Sequence, residues 1–326
     1  MRIIVDAMSG DNAPYEIVKG AIEAKEEFDA DIVLSGNRET IEQVAHELGK
    51  DISGMEIIDT DVVITMEDDP IAAVRSKKNS SMSEGLRRLK DDADAFVTAG
   101  NTGAMVTGAT LIVRPVKGVK RPCLAMVLPL GKPVLLLDCG ANINVIPEYL
   151  ETWAYMGSLY AHHVLGIKNP RVGLLNNGEE EHKGTQTMID THKLLKASKD
   201  INFVGNVEGC DIPSGACDVL VTDGFTGNIV LKYTEGFGKF FMKTLKKLYS
   251  KNTRAKLSFL AMKDQIMGLK KEFDATEYGG APLLGLSKPV IKAHGSADAK
   301  VIKNSVRTAI TFAESGMVDV IREKYR

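Results

Sequence analysis

The sequence predicts an α/β fold: a mostly parallel sheet with helices on both faces, built as one unit of 326 residues. Three observations predict it. Short apolar runs alternate with helical patterns along the chain. Many of those runs are almost continuously hydrophobic, as strands covered on both faces must be. Polar, glycine-rich loops follow one run after another, where strands of a parallel sheet turn into helices.

In order, the apolar runs are Ile3–Val5, Ile32–Leu34, Glu56–Ile58, Ala95–Thr98, Leu124–Leu128, Val134–Leu137, Val172–Leu175, Asn202–Val204 and Val219–Thr222. Amphipathic segments separate them. The first starts after Asn12, with Pro14 near its first turn and Ile17, Ala21 and Ala24 on one face. The rhythm breaks after Asn228. From 229 to about 275 the pattern predicts a projecting hairpin of two long helices, turning near Ser250–Thr253. A helical stretch from about Ala297 to Lys324 closes the chain. No repeat or low-complexity tract divides it, so residues 1–326 read as a single α/β unit with a helical arm.

Composition narrows the function classes. Hydrophobic residues make up 44% and charged residues 26%, as in a globular protein with a sizeable core. A net charge of −2 argues against nucleic-acid binding, which needs a strong basic excess. Cys123, Cys139, Cys210 and Cys217 form no C-x-x-C pair and read as reduced thiols of a cytoplasmic protein. Met1–Asp6 reads as a strand and not as a signal peptide. No run approaches the roughly 20 apolar residues that span a bilayer.

Five loops carry the candidate chemistry: Asp6–Asn12, Thr98–Ala104, Asp138–Asn142, Asn176–Gly184 and Thr222–Asn228. Glycine lets a backbone approach a ligand closely, and a helix start offers free N–H donors. Each loop taken singly is also what a plain capped strand-to-helix turn looks like. Together, with Asn, Thr or Asp beside glycine in all five, they predict an anion-binding cleft at one sheet edge. There is no P-loop, no G-x-G-x-x-G after the first strand and no G-x-S-x-G elbow. No cofactor and no metal is expected.

In order and spacing, Asp6–Asp11, Thr98–Gly103, Asp138–Asn142, Asn177–Gly184, Thr222–Asn228 and Tyr278–Gly285 resemble the bacterial acyl-acyl carrier protein:phosphate acyltransferase family (PlsX). The likeness runs from Met1 to beyond His294. It implies a fold like that of isocitrate and isopropylmalate dehydrogenases and phosphotransacetylase. It implies transfer of a fatty acyl group from acyl carrier protein to inorganic phosphate, for phospholipid synthesis. It further implies a homodimer, peripheral on the inner face of the cell membrane, handing acyl phosphate to a membrane glycerol-3-phosphate acyltransferase. Lys183 and Asn228 match the pair regarded as catalytic. Ser9 stands where the family usually has glycine and Cys139 where a valine-like residue is common, and Ser287–Lys292 is less typical.

The residues suit that chemistry. Dianionic phosphate is already nucleophilic, and a thiolate with a conjugate pKa of about 8.5 leaves without a strong acid. The reaction needs positioning and charge stabilisation. Lys183, in a glycine-flanked loop, would grip phosphate; the alternative is an exposed surface lysine. Asn228 would donate to the oxyanion or orient phosphate; the alternative is a helix N-cap. Asp6, Gly10, Asn101, Thr102, Gly103, Asn142, Asn177, Asp223 and Gly227 are the supporting substrate-site residues. Glu179–Glu181 with His182 read as acids at a helix start rather than metal ligands. Cys139 as an acyl acceptor is the weaker reading.

Lys239 to Lys271 holds ten basic residues and a single acid, Asp264. Phe259, Met262, Ile266, Leu269 and Phe273 share a helical stripe, which Leu257, Leu260 and Ala261 widen. Such a cationic, apolar helix suits an anionic lipid surface, with Leu257, Phe259, Leu260, Met262 and Ile266 as contacts; packing on the body or on a second subunit is the alternative. Two functional rivals remain: a decarboxylating hydroxyacid dehydrogenase of related fold, and a membrane-associated scaffold for lipid enzymes. The first needs a nucleotide site and a metal. The second has no use for five polar loops.

Overall fold

The computed structural model describes residues 1–272 and 278–325. Phe273 and the side chains of Lys270 and Lys271 lie outside the described residues. The N-terminal part runs β1 (Arg2–Asp6), α1 (Tyr15–Phe28), β2 (Asp31–Gly36), α2 (Arg38–Glu47), β3 (Glu56–Asp59), α3 (Pro70–Ser76), α4 (Ser81–Asp92), β4 (Ala95–Thr98) and α5 (Thr102–Ile112). Next come β5 (Cys123–Leu128), β6 (Val134–Leu137), α6 (Pro147–His163), β7 (Arg171–Asn176), α7 (Gln186–Ala197), β8 (Asn202–Glu208) and β9 (Val219–Val221). The chain ends with α8 (Gly224–Ser250), α9 (Thr253–Ala261), α10 (Lys263–Glu272), β10 (Ala281–Leu284), β11 (Val290–Lys292), α11 (Ala299–Glu314) and α12 (Met317–Lys324).

The eleven strands among the described residues join one sheet, ordered β3-β2-β1-β4-β11-β10-β5-β6-β9-β7-β8. Side chains alternate across a strand, and β1 shows the result: Ile3 and Val5 enter the core under α1, α6 and α11, while Ile4 enters the core under α4 and α5. Both sets are fully buried, which is why the run is apolar throughout. Trp153 of α6 anchors the first core, with its indole N–H donating to Arg121 O at 2.9 Å. Gly20 lets α1 close on α11; a Cβ there would stand 2.5 Å from Ala299 O.

The sheet is mostly parallel, as the sequence predicts, with one interruption that matters for the site. β10 is antiparallel to both β11 and β5, and β5 is antiparallel to β6. Strands β1, β4 and β11 therefore point one way, and β6, β9 and β7 the other. The expectation that all five polar loops leave one sheet edge is corrected here: the loops after β1 and β4 leave one edge, those after β6, β7 and β9 the opposite one. β10 and β11 themselves are additions to the predicted strands. The predicted second arm helix is broken at Met262, and the first starts at Gly224 rather than Ile229.

Candidate active site

The start of α8 is fixed by a rigid frame. Asp138 follows β6 and is fully buried. Its carboxylate accepts from Leu124 N at 2.8 Å, Ala141 N at 3.3 Å, Asn142 N at 2.6 Å and Asn142 Nδ2 at 3.0 Å. Burial pushes its pKa up, and these N–H donors oppose the shift. Asn142 Nδ2 also donates to Pro122 O at 2.8 Å, so its amide is committed to the frame. Gly224 N donates to Asn142 O at 2.8 Å. At Gly227 a Cβ would stand 1.9 Å from Asp138 O, so only glycine lets the helix sit this low.

Asp223 caps α8: its carboxylate accepts from Thr226 N at 2.9 Å and Thr226 Oγ1 at 2.7 Å. The cap is therefore Asp223, and the capping role considered for Asn228 is corrected. Asn228 lies one turn in, exposed, with its side chain beside Gly140; a Cβ on Gly140 would be 3.6 Å from Asn228 Cγ. The bare Cα leaves that side of the amide open.

Lys183 comes from the neighbouring strand. β9 lies between β6 and β7, all parallel, with Leu174 level with Val221, so the β7 loop and the start of α8 leave one edge side by side. Asn176 Nδ2 donates to Lys183 O at 3.0 Å, and Asn206 Nδ2 to Glu180 O at 2.9 Å. His192 in turn holds Asn206 Oδ1 at 2.9 Å. Lys183 is partly exposed, with Nζ 3.9 Å from Glu180 Oε1. Asn177 is exposed, and its N–H donates to Asn176 Oδ1 at 2.9 Å. The helix starts later than expected: Thr185 caps α7, so Glu179–His182 lie in the preceding turn, where Glu181 pairs with Lys196.

The remaining predicted residues sit in the N-terminal part. Thr98 Oγ1 donates to Asp6 Oδ2 at 2.8 Å, and the Ser9 and Ser81 hydroxyls face the same carboxylate. Burial raises the Asp6 pKa. Gly10 has φ +116, and a Cβ there would meet Ala99 Cβ at 2.9 Å. Asn101 caps α5 through Ala104 N at 3.1 Å, and its amide holds Met66 O and Asp68 O, each at 3.3 Å. Its donors are thus spent on the 65–68 segment. Thr102 and Gly103 form the first turn of α5, where Pro70 covers Gly103.

Asn228, Lys232, Glu235 and Lys239 recur at i, i+4, i+7 and i+11, one helical face. Lys232 Nζ pairs with Glu235 Oε2 at 3.0 Å. Glu235 bears electrostatically on Cys139, and Lys232, Glu235 and Lys239 bear on His294. Lys232 acts on Lys292 as well.

Lys292 is a buried cation that sequence reasoning missed. Lys292 is 7% exposed, and its Nζ donates to Ala99 O at 3.0 Å and to Ala293 O. Desolvation lowers its pKa to about 8, with Lys232 adding to the shift and Asp11 and Asp6 opposing it. The available signal was a single lysine inside the apolar run Val290-Ile291-Lys292-Ala293. Cys139 is buried, its thiol donating to Leu136 O at 3.2 Å, and burial pushes its pKa well up. That is the setting of a core residue, not a nucleophile.

Sheet order, direction reversal and helix placement define a phosphotransacetylase-like α/β fold. The structure aligns with a phosphotransacetylase from Streptococcus pyogenes at TM-score 0.63 and 18% identity, covering 96% of this chain and 94% of that one. It aligns with EutD phosphotransacetylase from Staphylococcus aureus at TM-score 0.60 and 16% identity, covering 97% and 94%. A 4-hydroxythreonine-4-phosphate dehydrogenase from Klebsiella pneumoniae aligns at TM-score 0.57 and 14% identity, covering 96% and 99%. At such identities the likeness shows the fold alone. Sequence is more specific. The family model described as fatty acid synthesis protein matches residues 1–320. The phosphate acyltransferase of Alkaliphilus oremlandii is 45% identical over 325 residues, 99% of this chain and 97% of that relative. That of Clostridium novyi is 44% identical over 326 residues, covering 99% and 98%. The chain belongs to this family, the PlsX phosphate acyltransferases.

Proposed function

We propose that the protein transfers a fatty acyl group from acyl carrier protein to inorganic phosphate, making acyl phosphate for phospholipid synthesis. The observation that carries the reading is the edge formed by β6, β9 and β7. There a glycine-seated helix start presents an unencumbered Asn228 beside the loop that holds Lys183. An ammonium and a neutral amide are what phosphate attack on a thioester calls for.

A phosphate oxygen attacks the thioester carbonyl and the C–O bond forms. Lys183 holds the phosphate, and Asn228 donates to the oxygen that gains charge. The C–S bond then breaks, and the proton of hydrogen phosphate passes to the departing sulfur, giving acyl phosphate and carrier thiol. No cofactor or metal enters. Asp138, Asn142, Asp223 and Gly227 hold the frame. Asp6, Gly10, Asn101, Thr102 and Gly103 shape the opposite wall, and Asn177 shapes the Lys183 loop.

The acidic carrier protein suits Lys239, Lys243, Lys246 and Lys247, all exposed on α8. The arm suits a peripheral position on the inner face of the cell membrane. Leu257, Leu260 and Met262 are exposed, Phe259 packs on Tyr249 with ring centroids 5.7 Å apart, and Ile266 is buried inside the hairpin. From there acyl phosphate passes to a membrane glycerol-3-phosphate acyltransferase. A homodimer suits the exposed row Phe225, Ile229, Tyr233 and Phe237, which leaves α8 greasy on a second face.

The test mixes purified protein, palmitoyl-carrier protein and phosphate, and traps acyl phosphate with hydroxylamine. Wild type should give hydroxamate. Lys183→Ala should lose it, by ~10²-fold or more, while keeping its thermal transition. A wild-type protein that yields none would end the reading.

A further inference from the structure

The Lys183 loop is held by a chain of hydrogen bonds that starts on a helix, and an irregularity in β8 makes the chain possible. β7 and β8 pair from Arg171 with Asn202 to Val172 with Phe203, then resume with Gly173 opposite Gly205. Val204 is therefore an extra residue in β8. Gly205 beside it has φ +101, a conformation that suits glycine at a bulge. Partners on neighbouring strands face the same side of a sheet. Val172 and Leu174, two residues apart, both enter the core that takes Leu195 of α7. Their partners Phe203 and Asn206 share that face although they are three residues apart. In a regular strand an odd separation sends two side chains to opposite faces. The bulge turns Asn206 toward α7.

Both residues meet His192 of α7, which is buried. Phe203 packs edgewise on the imidazole, with ring centroids 5.1 Å apart. Asn206 Oδ1 lies 2.9 Å from His192 Nδ1. The other end of the amide fixes the direction of that bond. Asn206 Nδ2 donates to Glu180 O at 2.9 Å; a carbonyl only accepts, so the amide nitrogen faces Glu180 and the oxygen faces His192. His192 Nδ1 must then carry a proton, whether or not Nε2 carries another. Nε2 stands 3.9 Å from Glu181 Oε1, beyond hydrogen-bond reach. Glu180 O also accepts from Lys183 N at 3.0 Å. One carbonyl thus joins the His192–Asn206 pair to the turn that carries Lys183.

We propose that His192 is a positioning residue for Lys183: its Nδ1–H fixes the Asn206 amide, the amide fixes Glu180 O, and that carbonyl sets where the Lys183 turn stands. The turn is tied from its far side as well, where Asn176 Nδ2 donates to Lys183 O at 3.0 Å. Neither His192 nor Asn206 touches substrate. A turn free to shift carries its ammonium off the phosphate, so the loss falls on phosphate and spares the acyl donor. The proposal rests on the acyl-transfer reading for the task of Lys183, and on the hydrogen bonds alone for the proton on Nδ1.

Two measurements test it. In the hydroxylamine assay, His192→Leu should raise the phosphate KM by ~10-fold or more and leave the KM for palmitoyl-carrier protein within about twofold. Asn206→Leu breaks the same chain without touching α7 and should do likewise. His192→Asn, whose amide nitrogen takes the place of Nδ1, should recover much of the loss, and His192→Gln, whose nitrogen reaches the place of Nε2, should not. An unchanged phosphate KM in either Leu variant, a matching rise in the acyl-donor KM, or equal rescue by Asn and Gln overturns the positioning role. In ¹⁵N-histidine NMR of the whole protein at pH 7.5, the His192 ring, assigned by its loss in His192→Asn, should carry a proton on Nδ1. A ring protonated on Nε2 alone overturns the proposal even if wild type makes no acyl phosphate, an outcome that would instead defeat the acyl-transfer reading.

Discussion

At the scale of single residues, the start of α8 is set by a frame of buried groups. Asp138 gathers four N–H donors, and Gly227 exists so that a helix can rest on Asp138 O. Gly227→Ala must push α8 off that frame. We expect a loss of about 1–3 kcal/mol in urea unfolding, typical of overpacking, and a larger proportional loss of turnover because Asn228 moves with the helix. An unchanged unfolding midpoint would show that the frame yields freely. Cys139→Ala should leave turnover within about twofold, since a buried thiol bonded to Leu136 O has no access to an acyl group. Lys183 and Asn228 stand out in the sequence because glycine-bracketed loops carry a recognisable order. Which residue caps α8 does not stand out there, because Asp223 and Asn228 both suit a cap and only the start of the helix decides between them. Lys292 was hidden for a similar reason: burial is a property of the assembled sheet, and its run resembles a strand edge as much as a site.

Elements tell the same story one level up. The strands that read cleanly are those with apolar residues on both faces, such as Ile3–Val5 and Val134–Leu137. β10 and β11 escaped because each is short and bounded by glycine, proline or lysine, and because their pairing depends on strands far away in sequence, β4 and β5. The arm was legible as a basic hairpin, but the helix break at Met262 was not, since nothing in Phe259–Gln265 is a strong helix breaker. Its consequence is visible in the packing. The break lets Ile266 turn inward, where it helps line a groove of about 640 Å³ with Met242, Leu245, Tyr249 and Phe259. Leu257, Leu260 and Met262 remain outside. Replacing Leu260 and Met262 by Glu removes apolar contact and adds repulsion from anionic lipid. The double variant should stay in the supernatant when sedimented with phosphatidylglycerol vesicles, and should keep its activity with soluble substrates. Persistent co-sedimentation would assign the arm to another task. No helix among the described residues is long and apolar enough to cross a membrane.

For the whole molecule, the decisive feature is the reversal of strand direction through β10 and β5, which the rhythm of strand and helix does not encode. It sends the N-terminal loops and the Lys183–Asn228 loops to opposite edges. The cost of that assembly is a lysine sealed in the join. With its pKa lowered to about 8 in the fold, Lys292 is charged in both folded and unfolded chains at pH 7, and its desolvation penalty is then present in full. As pH rises from about 8 toward the unfolded lysine value of about 10.4, the folded chain releases this proton while the unfolded chain keeps it. Stability attributable to Lys292 therefore rises across that window, by up to about 1.4 kcal/mol per pH unit. Urea unfolding of wild type and Lys292→Met between pH 7 and 10.5 isolates the effect. The wild-type stability should climb relative to the variant above pH 8. Parallel stability curves would mean that Lys292 titrates normally and that the join is wetter than its 7% exposure implies.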